Sequence, residues 1–129
     1  MVAYSFHPQF VPYILNGLKA QTIRADRKRH VRVRETMQLY TGMRTKQCRL
    51  IGTAICFDTW VITINLPDNS VTIGSETLRG WDKLDPLAHR DGFDGWLAMR
   101  AFWLDNHKVS VFSGVLIRWT DFHPSGETL

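Results

Sequence analysis

The chain has 129 residues, 44% of them hydrophobic and 22% charged, with a formal net charge of +4; this is the make-up of one folded domain and excludes disordered, collagen-like and coiled-coil classes. No window of about 18 uncharged apolar residues exists, so no membrane-spanning helix is expected. The opening MVAYSFHPQF lacks the basic start and apolar run of a signal peptide, and Cys48 and Cys56 have no paired Cys/His spacing, so the expectation is a cytoplasmic protein with two reduced core thiols, no metal site and no cofactor.

Residues 2–6 (VAYSF) read as a first strand, broken by His7-Pro8 because the residue before a proline avoids the helical region. A short helix is expected over 9–16, with Phe10, Tyr13, Ile14 and Leu18 at helical spacing, Pro12 in its first turn and Gly17 as its C-terminal cap. A strand over 21–24 follows, then a polar, arginine-rich loop over 25–35. Residues 36–40 alternate as a strand. A loop over 41–45 fits a hairpin, and 46–57 and 59–65 read as one or two long strands. Residues 66–70 form a turn before a strand over 71–73. Asp85-Pro86 opens a short helical turn, and Asp94 is placed to cap a helix over 95–105. A last strand is expected over 109–119 and a loose tail over 120–129. The sum is one α+β domain over residues 1–129, with its core at about 4–119: a small β-barrel with two or three peripheral helices.

The 95–105 helix is apolar nearly all round, with Arg100 as its interruption. Trp96, Arg100 and Trp103 stand at i, i+4 and i+7 and share a face. That face is either wedged into the core or open to a partner, such as a second copy of the chain.

The charge is unevenly spread. Residues 19–49 hold ten cationic side chains against Asp26 and Glu35, a net +8, and the rest of the chain carries −4. Arginine outnumbers lysine eleven to five, and its planar fork suits phosphate and stacks on bases. A polyanion such as a nucleic acid is the implied partner; the alternative is a solvated basic face. Arg24, Arg27, Lys28 and Arg29 are the candidate phosphate contacts, with His30 inside the same loop and Arg44 at the hairpin tip. Trp60, Trp81 and Trp96 are candidate stacking platforms outside it.

The run Gly17-Leu18-Lys19-Ala20-Gln21-Thr22-Ile23-Arg24 carries the first candidate chemistry. Thr22 and Arg24 share a strand face, and Lys19 in the preceding turn can reach it. Burial or neighbouring arginines would lower the lysine's pKa and make it a base. In the hairpin, Tyr40 and Lys46 flank the expected loop and could face each other as proton donor and phosphate anchor. RNA brings its own nucleophile, the 2′-hydroxyl, so an acid, a base and a cation around one phosphate would suffice for a ribonuclease.

GLKAQTIR, a basic loop, LYTGMRTKQCRLIGTA and then LAHRDGFDGWLAMRAFW, in that order, resemble the ASCH domain, a PUA-like β-barrel family, over about residues 4–119. The resemblance implies RNA binding, and in some members hydrolysis directed at RNA or nucleosides. One branch removes the acetyl group of N4-acetylcytidine with a lysine, a threonine three residues later and a distant glutamate. Lys19 and Thr22 match the first two, and Asp91 stands at the acidic position with one methylene fewer. The leading expectation is an RNA-binding domain that hydrolyses single-stranded RNA, with Lys19, Thr22, Tyr40, Lys46 and Asp91 as catalytic candidates. A nucleoside amidohydrolase and a non-catalytic RNA-binding module are the alternatives.

Overall fold

Strand β1 (Val2–Phe6) buries Tyr4 and Phe6 and leaves Ser5 between them half-exposed, as a period of two requires. A computed structural model describes residues 1–107 and 109–126. After β1, a 3₁₀ turn (Pro8–Phe10) leads into α1 (Val11–Leu15). Gly17 then adopts a φ of +84°, which reverses the chain at no steric penalty, and the Lys19 N–H returns to the Tyr13 carbonyl at 2.9 Å. The chain enters β2 (Gln21–Ala25), crosses the arginine-rich loop and continues as β3 (Thr36–Thr41).

The 17-residue strand β4 (Arg49–Asn65) is the spine of the sheet. It pairs with β3, with β5 (Ser70–Ile73) and, along most of its length, with β7 (Val111–Pro124). Register shifts between Thr53 and Ile55 and between Cys56 and Asp58 let so long a strand bend. β1 runs parallel to β3, β2 runs antiparallel to β7, and β6 (Glu76–Arg79) extends the sheet beyond β5. Helices α2 (Trp81–Arg90) and α3 (Trp96–His107) pack on each other. A single cluster of buried apolar side chains joins sheet and helices, with Met37, Leu39, Ile62, Ile64, Trp96 and Met99 fully enclosed. Each such side chain is worth about 1.5–3 kcal/mol of burial.

The α+β class is as expected, but the sheet is not a closed barrel. The path β2–β7–β4–β3–β1 ends on two strands that do not pair among the described residues. Arg24 occupies that seam. Its Nε donates to Thr22 Oγ1 at 2.9 Å and its Nη2 to the Ser5 carbonyl at 2.7 Å, with the guanidinium over the Phe6 ring at 4.7 Å. Paired strands lie about 4.8 Å apart, which leaves no room for an interposed side chain.

Other expectations need correction. Of the one or two long strands expected, the structure has one, β4, and it begins at Arg49, not at 46. Pro86 lies inside α2 rather than at its start. Asp94 does not cap α3: the Trp96 N–H donates to Asp85 Oδ1 at 2.8 Å, so α2 supplies the cap. β6 was not foreseen. The expected loose tail is strand as far as Pro124, with Thr53 paired to His123 and Gly52 to Pro124; residues 127–129 lie outside the described residues. Cys56 is buried as expected, but Cys48 is partly exposed. Among the described residues no helix is long and apolar enough to cross a membrane.

The proposed partner face on α3 is internal. Trp96 is wholly buried and its Nε1 donates to Asn69 Oδ1; Trp103 is buried too, and Arg100 Nε donates to the Leu66 carbonyl. Its two tryptophans are closed to a second copy, Arg100 alone is half-exposed, and Trp96 cannot be a stacking platform.

Candidate functional site

The open seam leads into a cavity of about 430 Å³. β1 contributes Tyr4, Ser5 and Phe6, β2 contributes Thr22, Ile23, Arg24 and Ala25, and Lys19 and Asp91 complete the floor. Phe10, Phe93, Phe102 and Trp103 form apolar walls. Their rings lock one another: Phe10 meets Phe93 and Phe102 edge-on at 5.3 and 5.6 Å between centroids. A cavity of this size, with aromatic walls and polar groups on its floor and at its mouth, suits a small flat ligand.

Lys19 is the least ordinary residue there. Only 3% of it is exposed. Its Nζ donates to the Asp91 backbone carbonyl at 2.6 Å and lies 3.5 Å from Asp91 Oδ1. The same Nζ sits 4.7 Å from the centroid of the Phe10 ring. Burial pushes the Lys19 pKa down; Asp91 opposes the shift and Arg24 adds to it. Asp91 is equally enclosed, and burial pushes its carboxyl up against the pull of Lys19 and Gln21. Both partners are therefore driven toward their neutral forms.

Asp91 follows the last residue of α2, and its N–H bonds back to Leu87 and Ala88. Its carbonyl, at the helix C-terminus, is free to hold Lys19, and the negative pole of α2 favours the ammonium. The shorter contact with Lys19 thus uses a backbone atom, not the carboxylate. Gly92, next in the chain, has a φ of +95°, and a Cβ there would stand 3.0 Å from both Lys19 Cδ and Phe10 Cδ1. Only glycine lets the lysine lie this close. Gln21 Nε2 donates to Asp91 Oδ1 at 3.2 Å, and its Oε1 is buried without a partner among the described residues. The amide turned over would accept a hydrogen bond from the carboxyl O–H of a neutral Asp91, the state toward which burial drives it.

Thr22 is buried, and its hydroxyl oxygen already accepts from Arg24 Nε. That bond confirms the shared strand face and aims the hydroxyl into the cavity lined by Lys19. Burial pushes the Arg24 pKa down to about 10, so the group stays cationic at neutral pH.

The predicted phosphate contacts divide. Arg27 lines the cavity mouth, its guanidinium 4.5 Å from the Tyr4 centroid and its Nε bonded to the Arg29 carbonyl. Arg29 is engaged by Glu35 through two bonds of 3.1 and 2.7 Å, which hold Glu35 down at about 2. Lys28 is exposed. His30 serves structure. Its Nε2 donates to the Ala25 carbonyl and its Nδ1 is bonded to the Tyr4 hydroxyl, whose oxygen accepts the Val31 N–H. Arg44 stands in a neighbouring cleft.

Tyr40 and Lys46 do not face each other and do not line the cavity. Tyr40 pairs with Leu50, and Lys46 is exposed in the 42–48 loop. Two successive turns, Thr45 N–H to the Gly42 carbonyl and Cys48 N–H to the Thr45 carbonyl, keep that loop out of the ladder until Arg49. Sequence reasoning missed Gly92 as a structural requirement and missed the aromatic walls, along with His107, which stacks on Trp103 at 4.0 Å. The DGF run carried the signal for Gly92; nothing local marked the walls. No family model matches the chain, and no curated protein matches it significantly.

Proposed function

We propose that the chain is an ASCH-type protein with an open variant of the PUA-like barrel, and that its cavity takes one nucleobase and hydrolyses an exocyclic amide on it. The observation that carries the reading is the burial of Lys19 beside Thr22 on the floor of an aromatic-walled cavity. Neutral Lys19 takes the Thr22 proton as the hydroxyl oxygen attacks the acyl carbon. Arg24, fixed on Thr22 and Ser5, stabilises the developing oxyanion. The C–N bond breaks, and the Lys19 ammonium returns the proton to the departing amine. Water, with Lys19 again as base, hydrolyses the threonyl ester and releases the carboxylic acid. The Asp91 carbonyl orients Lys19 throughout.

Cleavage of single-stranded RNA is the second reading, favoured by the exposed cationic side chains at the cavity mouth. It loses support from Tyr40 and Lys46, which lie away from Lys19 and Thr22. Incubation with N4-acetylcytidine and, separately, with labelled single-stranded RNA decides between them. Release of acetate and cytidine is expected; RNA fragments without acetate would reverse the order.

A further inference from the structure

We propose that the cleft beside the cavity is a phosphate subsite, so that the substrate is a nucleotide carrying a phosphate monoester and not a bare nucleoside. The identity of the base rests on the amide-hydrolysis reading above; the phosphate subsite does not. The cleft has a volume of about 280 Å³ and is lined by Tyr4, Ser5, Arg24, Arg27, Met43 and Arg44, among others. It shares Tyr4, Ser5, Arg24 and Arg27 with the base cavity. A ligand whose base lies on Thr22 can therefore extend past Arg24 into it.

Three arginines line this cleft, and among the described residues its lining contains no carboxylate. The nearby acids are engaged or aimed elsewhere. Glu35 is held by Arg29, Asp91 lies at the cavity floor on Lys19, and Asp26 lines the base cavity, not the cleft. Arg24 and Arg27 are already positioned by bonds to Ser5 and Arg29 carbonyls, so their orientation is set before any ligand arrives. Arg44 has no hydrogen bond among the described residues. Its backbone sits at a φ of +66°, a region that a side chain disfavours. The loop enforces this: Thr45 Oγ1 donates to the Gly42 carbonyl at 2.6 Å, and the Met43 N–H donates to Ser5 Oγ at 3.3 Å, tying the loop to the cleft wall. Backbone strain at an arginine that shares a cleft with two others is the arrangement expected where an anion completes the charge balance. A dianionic monoester offers terminal oxygens to Arg27 and Arg44, while Arg24, already bonded to Thr22 and Ser5, adds its charge between phosphate and base.

The test uses the full chain with inorganic phosphate, N4-acetylcytidine, its 5′-monophosphate and a short single-stranded RNA. The monophosphate is expected to exceed the nucleoside in kcat/KM by about tenfold or more, as for charge-assisted pairs. Arg44→Ala brings that ratio toward one, and Arg44→Lys restores part of it. Inorganic phosphate raises the melting temperature of the wild type and not of Arg44→Ala. Equal kcat/KM for the two substrates, or a ratio that survives Arg44→Ala, overturns the subsite. If neither substrate is hydrolysed but phosphate binding is lost in Arg44→Ala, the amide reading fails and the subsite stands. Tighter binding of RNA than of the monophosphate, also lost in Arg44→Ala, overturns the monoester in favour of a backbone diester.

Discussion

The floor of the cavity and the arginine-rich loop at its mouth are both charged, but the physics of the two regions is opposite. On the floor, Lys19 and Asp91 are 3% and 5% exposed. There, every protonation state is set by burial and by one or two named neighbours. In the loop, Arg27, Lys28, Arg29 and Arg32 are exposed, water screens them, and Arg29 is neutralised by Glu35. Exposed pairs of this kind contribute little, because solvent screens them. The number of charges points to the loop; their stakes point to the floor.

The largest expected effect tests the floor. Lys19→Met keeps the length of the side chain and removes the amine. Amide turnover should fall about 10²–10⁴-fold, the range for loss of a general base, while circular dichroism remains native. A fall of less than threefold would remove Lys19 from the chemistry. Turnover in the wild type should rise with pH as Lys19 loses its proton, and because burial depresses its pKa, the midpoint should lie below 10.5. The sign in stability agrees. A lysine whose folded pKa is lowered opposes folding at low pH, and the penalty fades as pH rises from the folded pKa toward 10.5.

Gly92→Ala comes next. The positive φ and the contacts at 3.0 Å with Lys19 and Phe10 together should cost about 2–4 kcal/mol, from backbone strain plus overpacking. Urea denaturation measures it, and a loss below 0.5 kcal/mol would mean that the lysine is not held as described.

The loop should respond more weakly. Replacing Arg27, Lys28 and Arg29 together by alanine should flatten the salt dependence of single-stranded RNA binding by about 1.4 rather than 2.1, at about 0.7 per contact, because Arg29 is already paired. A reduction of about 2.1 would show that RNA displaces Glu35. Smallest of all is Glu35→Gln. The Glu35 pKa is lowered to about 2, so its contribution is present above the ordinary value of 4.5 and is lost as pH falls toward 2. The variant should flatten that acid limb slightly and leave stability at pH 7 nearly unchanged.

The local parts of this account were legible in the sequence. Gly17 after a short apolar helix, and Thr22 two residues before Arg24 on one strand face, follow from backbone geometry, and the structure bears both out. Lys19, Thr22 and Asp91 do line one cavity. What could not be read depends on chain segments far apart. The seam stays open because Arg24 reaches Ser5, a contact across 19 residues. Tyr40 and Lys46 part because the loop makes one more turn than its composition suggests. The face of α3 that bears Trp96 and Trp103 turned inward, since a helix apolar all round does not declare which face is core. Asp85 displaced Asp94 as cap because α2 places its carboxylate nearer the Trp96 N–H.

The central claim is that the buried floor, and not the hairpin, carries the chemistry. Acetate release from N4-acetylcytidine by the wild type, Thr22→Ala and Lys46→Ala tests it most directly. The account predicts that Thr22→Ala loses release and Lys46→Ala retains it; loss in Lys46→Ala with Thr22→Ala still active would contradict it.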